Sequence, residues 1–300
     1  MSKPLKKGGE GGFDTPMKKT TQPTSSRQGA SFAQADAAGR FLAVIPARGG
    51  STGLPGKNRM KLRGISLVAR AVLIARQIPE IRWIQVSTDD DAIAGEAEQA
   101  GVEVPFRRPP ELSGGEVPMV EVLRHVAGWF QAHVGERCEG LVLLQPTSPM
   151  RKLKDVQGAL SLFREARKTD PRVAAVHTVS RVPEPYMPGN LRRLSRDRDG
   201  LWRIGEGPAF GNGKPGRSNR FDTGPVYYRT GAAVVLDMDR LDALTLNRGL
   251  VLPYFLDRPL VSIDSLYDLL RIEHFEGSLE PPFETGDSAE RRSADGSERK

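Results

Sequence analysis

The sequence predicts an α/β protein of three layers, α/β/α, with helices on both faces of a mostly parallel sheet. Short apolar runs typical of buried strands alternate along the chain with segments whose apolar residues recur every three or four positions. Two polar stretches also follow directly on apolar runs. In such sheets ligands bind outside the carboxyl ends of the strands. Both stretches are therefore expected at one edge of the sheet, around a shared crevice.

The predicted elements follow one another from Phe41 onward. Each predicted strand is a short apolar run, and each predicted helix has the spacing that buries one helical face. Gly101 supplies a helix stop, because glycine accepts the left-handed backbone of a C-terminal cap. The predicted strands are 41–45, 83–87, 102–106, 141–144, 174–179, 227–236 and 260–263, and the predicted helices are 64–77, 92–100, 117–133, 156–168 and 265–275.

Composition divides the chain into one folded domain and two tails. Residues 1–39 are rich in Lys, Gly, Ser, Thr, Gln and Pro, and we expect a disordered basic tail there. The folded domain is predicted at 40–276, and the charged remainder, 277–300, is predicted to be a second disordered tail. Within the domain, 183–225 is rich in Pro, Gly and Arg, which predicts an irregular excursion of loops and short strands.

Charge and cysteine content exclude several classes of protein. The net charge is +7, but the basic residues are scattered and the arginine-rich islands lack interleaved aromatic residues, so no nucleic-acid partner is predicted. No apolar run approaches the ~20 residues that span a bilayer, and the N-terminus lacks the apolar core of a signal peptide. The single cysteine, Cys138, suits a reducing compartment and is predicted to be inert and partly buried. We expect a cytoplasmic protein with no membrane partner.

A glycine-rich loop at 46–58 follows the first predicted strand and carries two basic side chains, Arg48 and Lys57. Glycines let a backbone approach a ligand and turn its N–H groups inward, and such a concavity attracts anions. The P-loop pattern fails, because Gly56 and Lys57 are followed by asparagine and the expected first glycine is a serine. The dinucleotide pattern fails on glycine spacing. The loop itself therefore leaves two interpretations open, a phosphate-binding loop or an ordinary connection with two solvated cations.

Five segments in order carry a family resemblance. Residues 44–58 are similar to I-P-A-R-G-G-S-K-G-L-P-x-K-N, and residues 144–151, Leu-Gln-Pro-Thr-Ser-Pro-Met-Arg, to L-Q-P-T-S-P-L-R. The other segments, 86–112, 220–232 and 262–268, are similar to V-S-T-D-D with E-V-P-F-x-R-P-x-E-L, to R-Q-x-L-P-x-x-Y-x-x-N-G-A and to D-I-D-x-x-x-D. These are motifs of the CMP-sugar-acid synthetases, which include the acylneuraminate cytidylyltransferases and their legionaminate, pseudaminate and KDO relatives. The resemblance covers residues 41–275.

The resemblance implies a fold, a reaction and partners. The fold would be Rossmann-like, of the nucleotide-diphospho-sugar transferase type. The reaction would be nucleotidyl transfer, in which the anomeric hydroxyl of a sialic or legionaminic acid-like nonulosonic acid attacks the α-phosphorus of CTP and pyrophosphate leaves. The implied cofactor is Mg²⁺, and the implied assembly is a homodimer with the 183–225 excursion as a candidate contact. Residues 145–149 favour the sialate and legionaminate branches over KDO.

The resemblance also assigns roles to residues. Arg48, Lys57 and Asp264 are the expected catalytic residues, with Asp264 as the Mg²⁺ ligand because carboxylates suit that hard cation. The expected nucleotide-binding residues are Ala47, Arg48, Gly50, Ser51, Thr52, Lys57, Asn58 and Arg108, with the neighbourhood of Gly115 lining the cytidine pocket. The expected substrate-binding residues are Gln145, Thr147, Ser148, Arg220 and Tyr227, with Arg220, or else Arg229, meeting the substrate carboxylate through a bidentate fork.

The departures from the family motifs that matter most are Thr52 for lysine, Ser262 for aspartate, Thr230 for asparagine and Phe221 for glutamine, and the family's Ser/Thr-rich stretch is missing around 114–119. The first two remove charge from the triphosphate and metal machinery, where one charge-assisted contact is worth a few kcal/mol. Another group, such as Glu116 or Asp222, then compensates. The alternative is a diverged, catalytically weak, nucleotide-binding member of the fold that serves as a regulatory or scaffolding subunit.

Other acidic and histidine features have plainer interpretations. Residues 89–91, three aspartates, are predicted to cap a helix N-terminus. Residues 237–239 resemble a D-x-D metal motif, but a surface turn is the preferred interpretation. The histidines lack a second ligand at metal-binding spacing, so we expect them to be surface or core-edge residues.

Overall fold

The structure, a computed structural model, describes residues 40–51, 53–136, 138–183, 186, 225–245 and 249–274, and the backbone of 194–196 and 202–204. All of them lie in one of the two units into which the chain divides, residues 37–300. The predicted tails at 1–39 and 277–300 and most of the predicted excursion lie outside the described residues, and these assignments stay predictions.

A mixed sheet of six strands forms the centre of the fold, in the order β10-β6-β9-β5-β1-β4. All of its neighbouring strands are parallel except β9, which runs antiparallel to both β5 and β6. The short strands pair as two antiparallel hairpins, β2 with β3 and β7 with β8. The strands are β1 Phe41–Pro46, β2 Lys61–Leu62, β3 Ile65–Ser66, β4 Ile81–Ser87, β5 Gly140–Leu143, β6 Val173–Arg181, β7 Leu194–Arg196, β8 Trp202–Ile204, β9 Tyr227–Leu236 and β10 Leu250–Phe255.

Helices connect the strands, and two of them begin at side-chain caps. Ser66 accepts a hydrogen bond from the Ala69 N–H, and Asp90 accepts two from the second helix, which confirms the predicted aspartate cap. The α-helices are α1 Leu67–Arg76, α2 Asp91–Gln99, α3 Met119–His133, α4 Leu153–Thr169 and α5 Leu266–His274. Short 3₁₀ helices occupy Lys57–Arg59, Pro110–Leu112 and Met238–Thr245.

The first strand shows why both faces of the sheet are covered. Because successive side chains of a strand point to opposite faces, Phe41, Ala43 and Ile45 pack with α1, α2 and α4. Leu42 and Val44 pack on the other face, with α3 and the Met238–Thr245 helix. All five side chains are fully buried. The predicted three-layer α/β fold with a mostly parallel sheet is thereby confirmed.

Two predicted strands are wrong. Residues 102–106 form an irregular segment that leads from α2 to Arg108, whose N–H donates to the Thr88 carbonyl. Residues 260–263 also lie outside the strands, because Leu260 and Ile263 bury their apolar side chains in a cluster under the loops of one sheet edge. The strand that the structure shows in this part of the chain is β10, which contains Pro253. It lies at the edge of the sheet, where a missing N–H is tolerated.

Among the described residues, none of the helices has the length and apolar character that crossing a bilayer requires.

Candidate active site

The site lies at the edge of the sheet where the parallel strands end. Pro46 of β1 pairs with Ser87 of β4, and Val44 pairs with Leu143 of β5, so the loops after these strands leave side by side. The antiparallel strand β9 begins at the same edge, with Tyr227 opposite Arg181 of β6. The two polar stretches that follow apolar runs in the sequence therefore share one edge, as predicted.

Hydrogen bonds within the protein hold the glycine-rich loop after β1 in place. Ala47 is buried and its N–H donates to the Ser87 carbonyl. The buried Asn58 side chain donates to the Arg48 carbonyl over 2.9 Å, which closes the loop on itself. Gly56 has φ 66° and leads into the Lys57–Arg59 turn, a conformation that favours glycine. Gly50 is exposed and Ser51 half-buried, so the loop presents its middle to solvent.

Gly49 brings the loop against the end of β4. Its N–H donates to Asp89 Oδ1 over 2.9 Å. A Cβ at this position would lie 2.7 Å from Asp90 Oδ2, closer than real Cβ atoms approach. The position therefore requires glycine, and the requirement joins the loop to the aspartates after β4.

Lys57 joins the loop to the segment before α5. Its Nζ lies 3.1 Å from Asp264 Oδ1, and the two residues are 207 positions apart in the chain. The lysine side chain is 16% exposed and the aspartate side chain 76% exposed, so the carboxylate stands open to solvent. Gly53 also approaches the Asp264 carbonyl, where a Cβ would lie 3.3 Å away. The expected catalytic residues Lys57 and Asp264 are thus in direct contact.

The segment before α5 in turn contacts the loop after β5. The Ile263 N–H donates to the Thr147 carbonyl over 2.8 Å, and the Ser262 hydroxyl lies 3.4 Å from the same oxygen. Asp264 follows directly, so one short segment touches the glycine-rich loop on one side and the Gln145–Ser148 loop on the other. The predicted nucleotide and sugar-acid loops are brought together through this segment.

Arg48 and Arg108 form a cationic neighbourhood at the end of β4. Arg108 is buried; its Nε donates to Ser87 Oγ over 3.0 Å and another guanidinium nitrogen donates to the Ser87 carbonyl. Burial lowers the pKa of Arg108, Asp89 opposes that shift, and Arg48 adds to it. A Cβ at Gly115 would lie 3.2 Å from the Arg48 guanidinium. Arg48, Arg108 and Gly115, all expected near the nucleotide, are therefore neighbours.

Arg151 is a site residue that sequence reasoning did not assign. It is 5% exposed, and its Nε donates to the Ala232 carbonyl over 2.7 Å. A second nitrogen donates to the carbonyls of Gln145 and Gly231. Burial lowers the pKa of Arg151 to about 9, with Asp155 opposing the shift. The feature of the sequence that could have identified Arg151 is its position as the last residue of the 144–151 motif.

A buried ion pair braces the same loop from the β10 side. Arg258 meets Asp155 through two hydrogen bonds of 3.1 and 2.6 Å, and it also donates to the Met150 carbonyl over 3.0 Å. Asp155 is 2% exposed and also accepts from the Lys152 N–H at the start of α4. The pair joins the loop after β10 to the loop after β5. Neither residue stood out in the sequence, because their positions are far apart and lie outside the motifs.

Other predicted substrate residues lie further along β9 or outside the described residues. Tyr227 is exposed and packs edge-on against Phe255, with ring centroids 5.0 Å apart. The Arg229 guanidinium donates to the Leu244 carbonyl over 3.3 Å, and the buried Thr230 hydroxyl pairs with Thr178. Thr52, Arg220, Phe221 and Asp222 lie outside the described residues.

Two plainer interpretations need qualification by the structure. Residues 237–239 do form a turn, in which the Arg240 N–H donates to the Asp237 carbonyl and Asp239 is exposed, but the Asp237 carboxylate is buried and accepts a hydrogen bond from Arg167. His177 is not a core-edge residue, because it lies in β6 at 2% exposure. Cys138 is partly buried, and burial raises the pKa of its thiol to about 12, which agrees with the predicted inert cysteine.

The described residues offer two exposed carboxylates beside the phosphate loop, that of Asp264 and that of Asp89, which accepts the Gly49 N–H. They contain no group of three or more His, Cys, Asp or Glu side chains placed to hold a metal ion. Mg²⁺ is commonly bound by one or two carboxylates together with substrate phosphates and water. The donor set at Asp264 fits an ion that arrives with a nucleotide.

This chain is similar in sequence to known cytidylyltransferases. The cytidylyltransferase family model matches residues 42–187. A CMP-N,N'-diacetyllegionaminic acid synthase from Legionella pneumophila is 36% identical over 144 residues, which cover 48% of this chain and 60% of the relative. An N-acylneuraminate cytidylyltransferase from Escherichia coli is 31% identical over 129 residues, which cover 43% of this chain and 29% of the relative. The chain thus spans less than two thirds of the length of either relative.

A solved structure of CMP:2-keto-3-deoxy-manno-octonic acid synthetase complexed with CTP has the same fold. It covers 78% of this chain and 97% of its own, with a TM-score of 0.55 and 14% sequence identity. The predicted Rossmann-like nucleotidyltransferase fold is confirmed.

Proposed function

We propose that this chain, whose residues 42–187 match the cytidylyltransferase family model and whose relatives include CMP-sugar-acid synthetases, makes a CMP-activated sugar acid. In the proposed reaction, CMP passes from CTP to the anomeric hydroxyl of a nonulosonic acid of the sialic or legionaminic type, and pyrophosphate is released. The domain responsible is proposed to be residues 40–276.

One observation carries the proposal. The segment at 262–264 contacts Lys57 of the glycine-rich loop through Asp264 and the Gln145–Ser148 loop through Ile263. Nucleotide transfer to a sugar requires that a phosphate-binding loop and a hydroxyl-binding loop lie side by side, because the attacking oxygen must meet the α-phosphorus in line. Through these contacts the two loops, which are distant in sequence, lie close together.

The chain's own residues would act mainly by positioning and by neutralising charge. Arg48 and Lys57 would bind the phosphate oxygens, together with the N–H groups of the loop around Gly50 and Ser51. The bond between the anomeric oxygen and the α-phosphorus forms as the bond from the α-phosphorus to the oxygen shared with the β-phosphate breaks, and the hydroxyl proton is lost to water. The charge that leaves on pyrophosphate is then met by the same cations. Arg108, buried beside Arg48, would support the nucleoside side of this site.

The sugar acid would bind against the loop after β5. Gln145 and Thr147 are half-buried there and Ser148 is buried, so their polar groups can select hydroxyl and amide substituents. We propose Arg220, or else Arg229, for the substrate carboxylate, since a guanidinium recognises a carboxylate through two hydrogen bonds. Tyr227, which packs edge-on against Phe255, would flank the sugar ring.

We further propose that Asp264 holds a Mg²⁺ ion that enters with the nucleotide. When bound, such an ion would neutralise phosphate charge and orient the triphosphate. Before binding, Asp264 accepts a hydrogen bond from Lys57, so these two residues must separate as the nucleotide enters.

The test is pyrophosphate release from CTP with a panel of nonulosonic acids, each assayed over a range of Mg²⁺ concentrations. Release should require CTP rather than ATP, GTP or UTP, and it should fall strongly in Lys57→Met. The absence of release with every sugar acid at every Mg²⁺ concentration would refute the proposal. The diverged scaffolding alternative is not favoured, since the relatives are synthases and transferases by name.

A homodimer and a cytoplasmic location complete the proposal. The predicted excursion at 183–225 is the proposed dimer contact, and sedimentation of the full chain at several concentrations will give its mass. A reaction that consumes CTP suits the cytoplasm, which fractionation of the producing cell would test.

A further inference from the structure

The loop after β5 is fastened to the start of β9 by hydrogen bonds to main-chain carbonyls. The Ser148 hydroxyl donates to the Thr230 carbonyl over 3.1 Å. The Arg151 guanidinium donates to the carbonyls of Gln145, Gly231 and Ala232, so it spans both segments. Buried charge-assisted hydrogen bonds are among the strongest in a protein. The distance between the loop and the strand is therefore closely fixed.

Gly231 lies at the point of closest approach. Its φ is +67°, and an added Cβ would stand 2.5 Å from Gln145 Oε1 and 2.8 Å from Ser148 Oγ. Real Cβ atoms essentially never approach a neighbour within 3.0 Å. Two polar side chains of the loop thus occupy the space that any side chain at position 231 would take.

We infer that Gly231 and Arg151 are positioning residues for the sugar acid. Gly231 admits the Gln145 amide and the Ser148 hydroxyl to their places, and Arg151 holds the loop against β9 at that distance. This inference rests on the proposed function, in which Gln145 and Ser148 face the sugar acid. It gives β9, which already carries Tyr227 and Arg229, a second part in substrate selection through Gly231.

The role is confined to one side of the site. The described contacts of Gly231 and Arg151 go to the loop after β5 and to β9, whereas the glycine-rich loop is held by Asn58, Asp89 and Asp264. Displacing Gln145 and Ser148 should therefore weaken binding of the sugar acid and leave CTP binding nearly unchanged. A general loss of stability would affect both.

The chain offers a matched control for backbone strain. Gly135, after α3, has φ +66°, and a Cβ there would meet only the Gln131 carbonyl, at 3.9 Å. Gly135→Ala therefore places alanine in the same left-handed conformation without displacing a side chain. Both alanine variants should lose stability through the strained backbone, and only Gly231→Ala should also displace side chains and change the site.

The first experiment measures both KM values in Gly231→Ala, Gly135→Ala, Gln145→Ala and the double variant Gln145→Ala with Gly231→Ala. We expect Gly231→Ala to raise the KM for the sugar acid by about tenfold, with the KM for CTP within about twofold. In the Gln145→Ala background the effect should fall to about threefold or less, because coupled residues are not additive. Equal changes in both KM values, or full additivity, would overturn the inference. Arg151→Lys should retain more sugar-acid affinity than Arg151→Met.

The second experiment does not depend on turnover. The side-chain amide of Gln145 gives an NMR signal that its loss in Gln145→Ala will assign. This signal should shift in Gly231→Ala and stay in place in Gly135→Ala. An unshifted signal in Gly231→Ala overturns the positioning role even if the enzyme is active. If the wild-type chain releases no pyrophosphate while the signal shifts as expected, the proposed function fails and the placement of Gln145 by Gly231 stands.

Discussion

Replacing His177 with glutamine is expected to make the fold less sensitive to acid. His177 lies in β6 at 2% exposure, and in the described part of the chain neither ring nitrogen makes a hydrogen bond of good geometry. Burial lowers the pKa of His177 from 6.5 to about 4; Arg229 adds to the shift and the backbone at Ala243 opposes it. The folded protein therefore keeps this imidazole neutral at a pH where the unfolded chain protonates it.

The size of the effect follows from the two pKa values. Between pH 6.5 and pH 4 the unfolded chain binds more protons at this position than the folded one, so stability falls as the pH falls through that window. One pKa unit corresponds to about 1.4 kcal/mol, so His177 should remove about 2 kcal/mol of unfolding free energy between pH 8 and pH 5. That is a substantial fraction of the stability of an ordinary domain.

The assay is urea unfolding of wild type and His177→Gln at pH 8, 7, 6 and 5. The difference between the two unfolding free energies should change by about 2 kcal/mol across the series, in favour of the variant at low pH. His133→Gln, which removes an exposed histidine from α3, serves as the control for the loss of a histidine at the surface. Parallel curves for wild type and His177→Gln would refute the reasoning, because the imidazole would then titrate alike in both states.

Four further outcomes test the site and its supports. Lys57→Met should raise the KM for CTP by about tenfold or more, since it removes the cation that pairs with Asp264; an unchanged KM would place the phosphates elsewhere. Asp264→Asn should lower Mg²⁺-dependent turnover yet tighten CTP binding in EDTA by about threefold, because the exposed ion pair, worth up to ~1 kcal/mol, no longer competes for Lys57. Weaker CTP binding of this variant in EDTA would contradict the reasoning. Arg258→Gln should cost about 3 kcal/mol in urea unfolding, because it leaves the buried Asp155 carboxylate without its partner; a change below ~1 kcal/mol would argue against the brace. Cys138, whose pKa burial raises to about 12, should resist iodoacetamide at pH 8 in the folded protein and react after unfolding, as mass spectrometry will show.

Local patterns in the sequence were enough to predict the layers of the fold and the two loops of the site. The apolar runs at 41–45 and 141–144 specify buried parallel strands, and a parallel pair places both of its following loops at one edge. The same reasoning failed at 260–263, where an apolar run fills a cluster beneath the loops, and it predicted no strand at β10, whose Pro253 is tolerated at the edge of the sheet.

The contacts that complete the site could not be read from the sequence. The pairing of Lys57 with Asp264 joins positions 207 residues apart, and periodicity carries no information about which distant side chains meet. Gly231 was visible as part of a motif, but its steric role depends on Gln145 and Ser148 standing within a Cβ's reach. The burial of Arg151 and His177 likewise depends on how loops and strands close over them.

The structure gives a physical reason for two of the departures from the family motifs. The Thr230 hydroxyl is hydrogen-bonded within the fold, because it contacts both the hydroxyl and the carbonyl of Thr178 and so joins β9 to β6. Ser262 stands 3.4 Å from the Thr147 carbonyl, where a carboxylate in its place would face a like partial charge. The double variant Thr52→Lys with Ser262→Asp restores the family motif at both positions. If its turnover is no higher than that of wild type, the site has been rebuilt around serine.

The antiparallel strand β9 has a consequence for synthesis on the ribosome. It sits between β5 and β6, yet its residues, 227–236, come after both of them in the chain. A nascent chain that ends before residue 227 leaves two apolar strand edges facing each other across an unfilled slot. Such edges favour pairing with foreign strands. Chaperone dependence should consequently peak for nascent chains of that length and drop once the missing strand has emerged and been inserted.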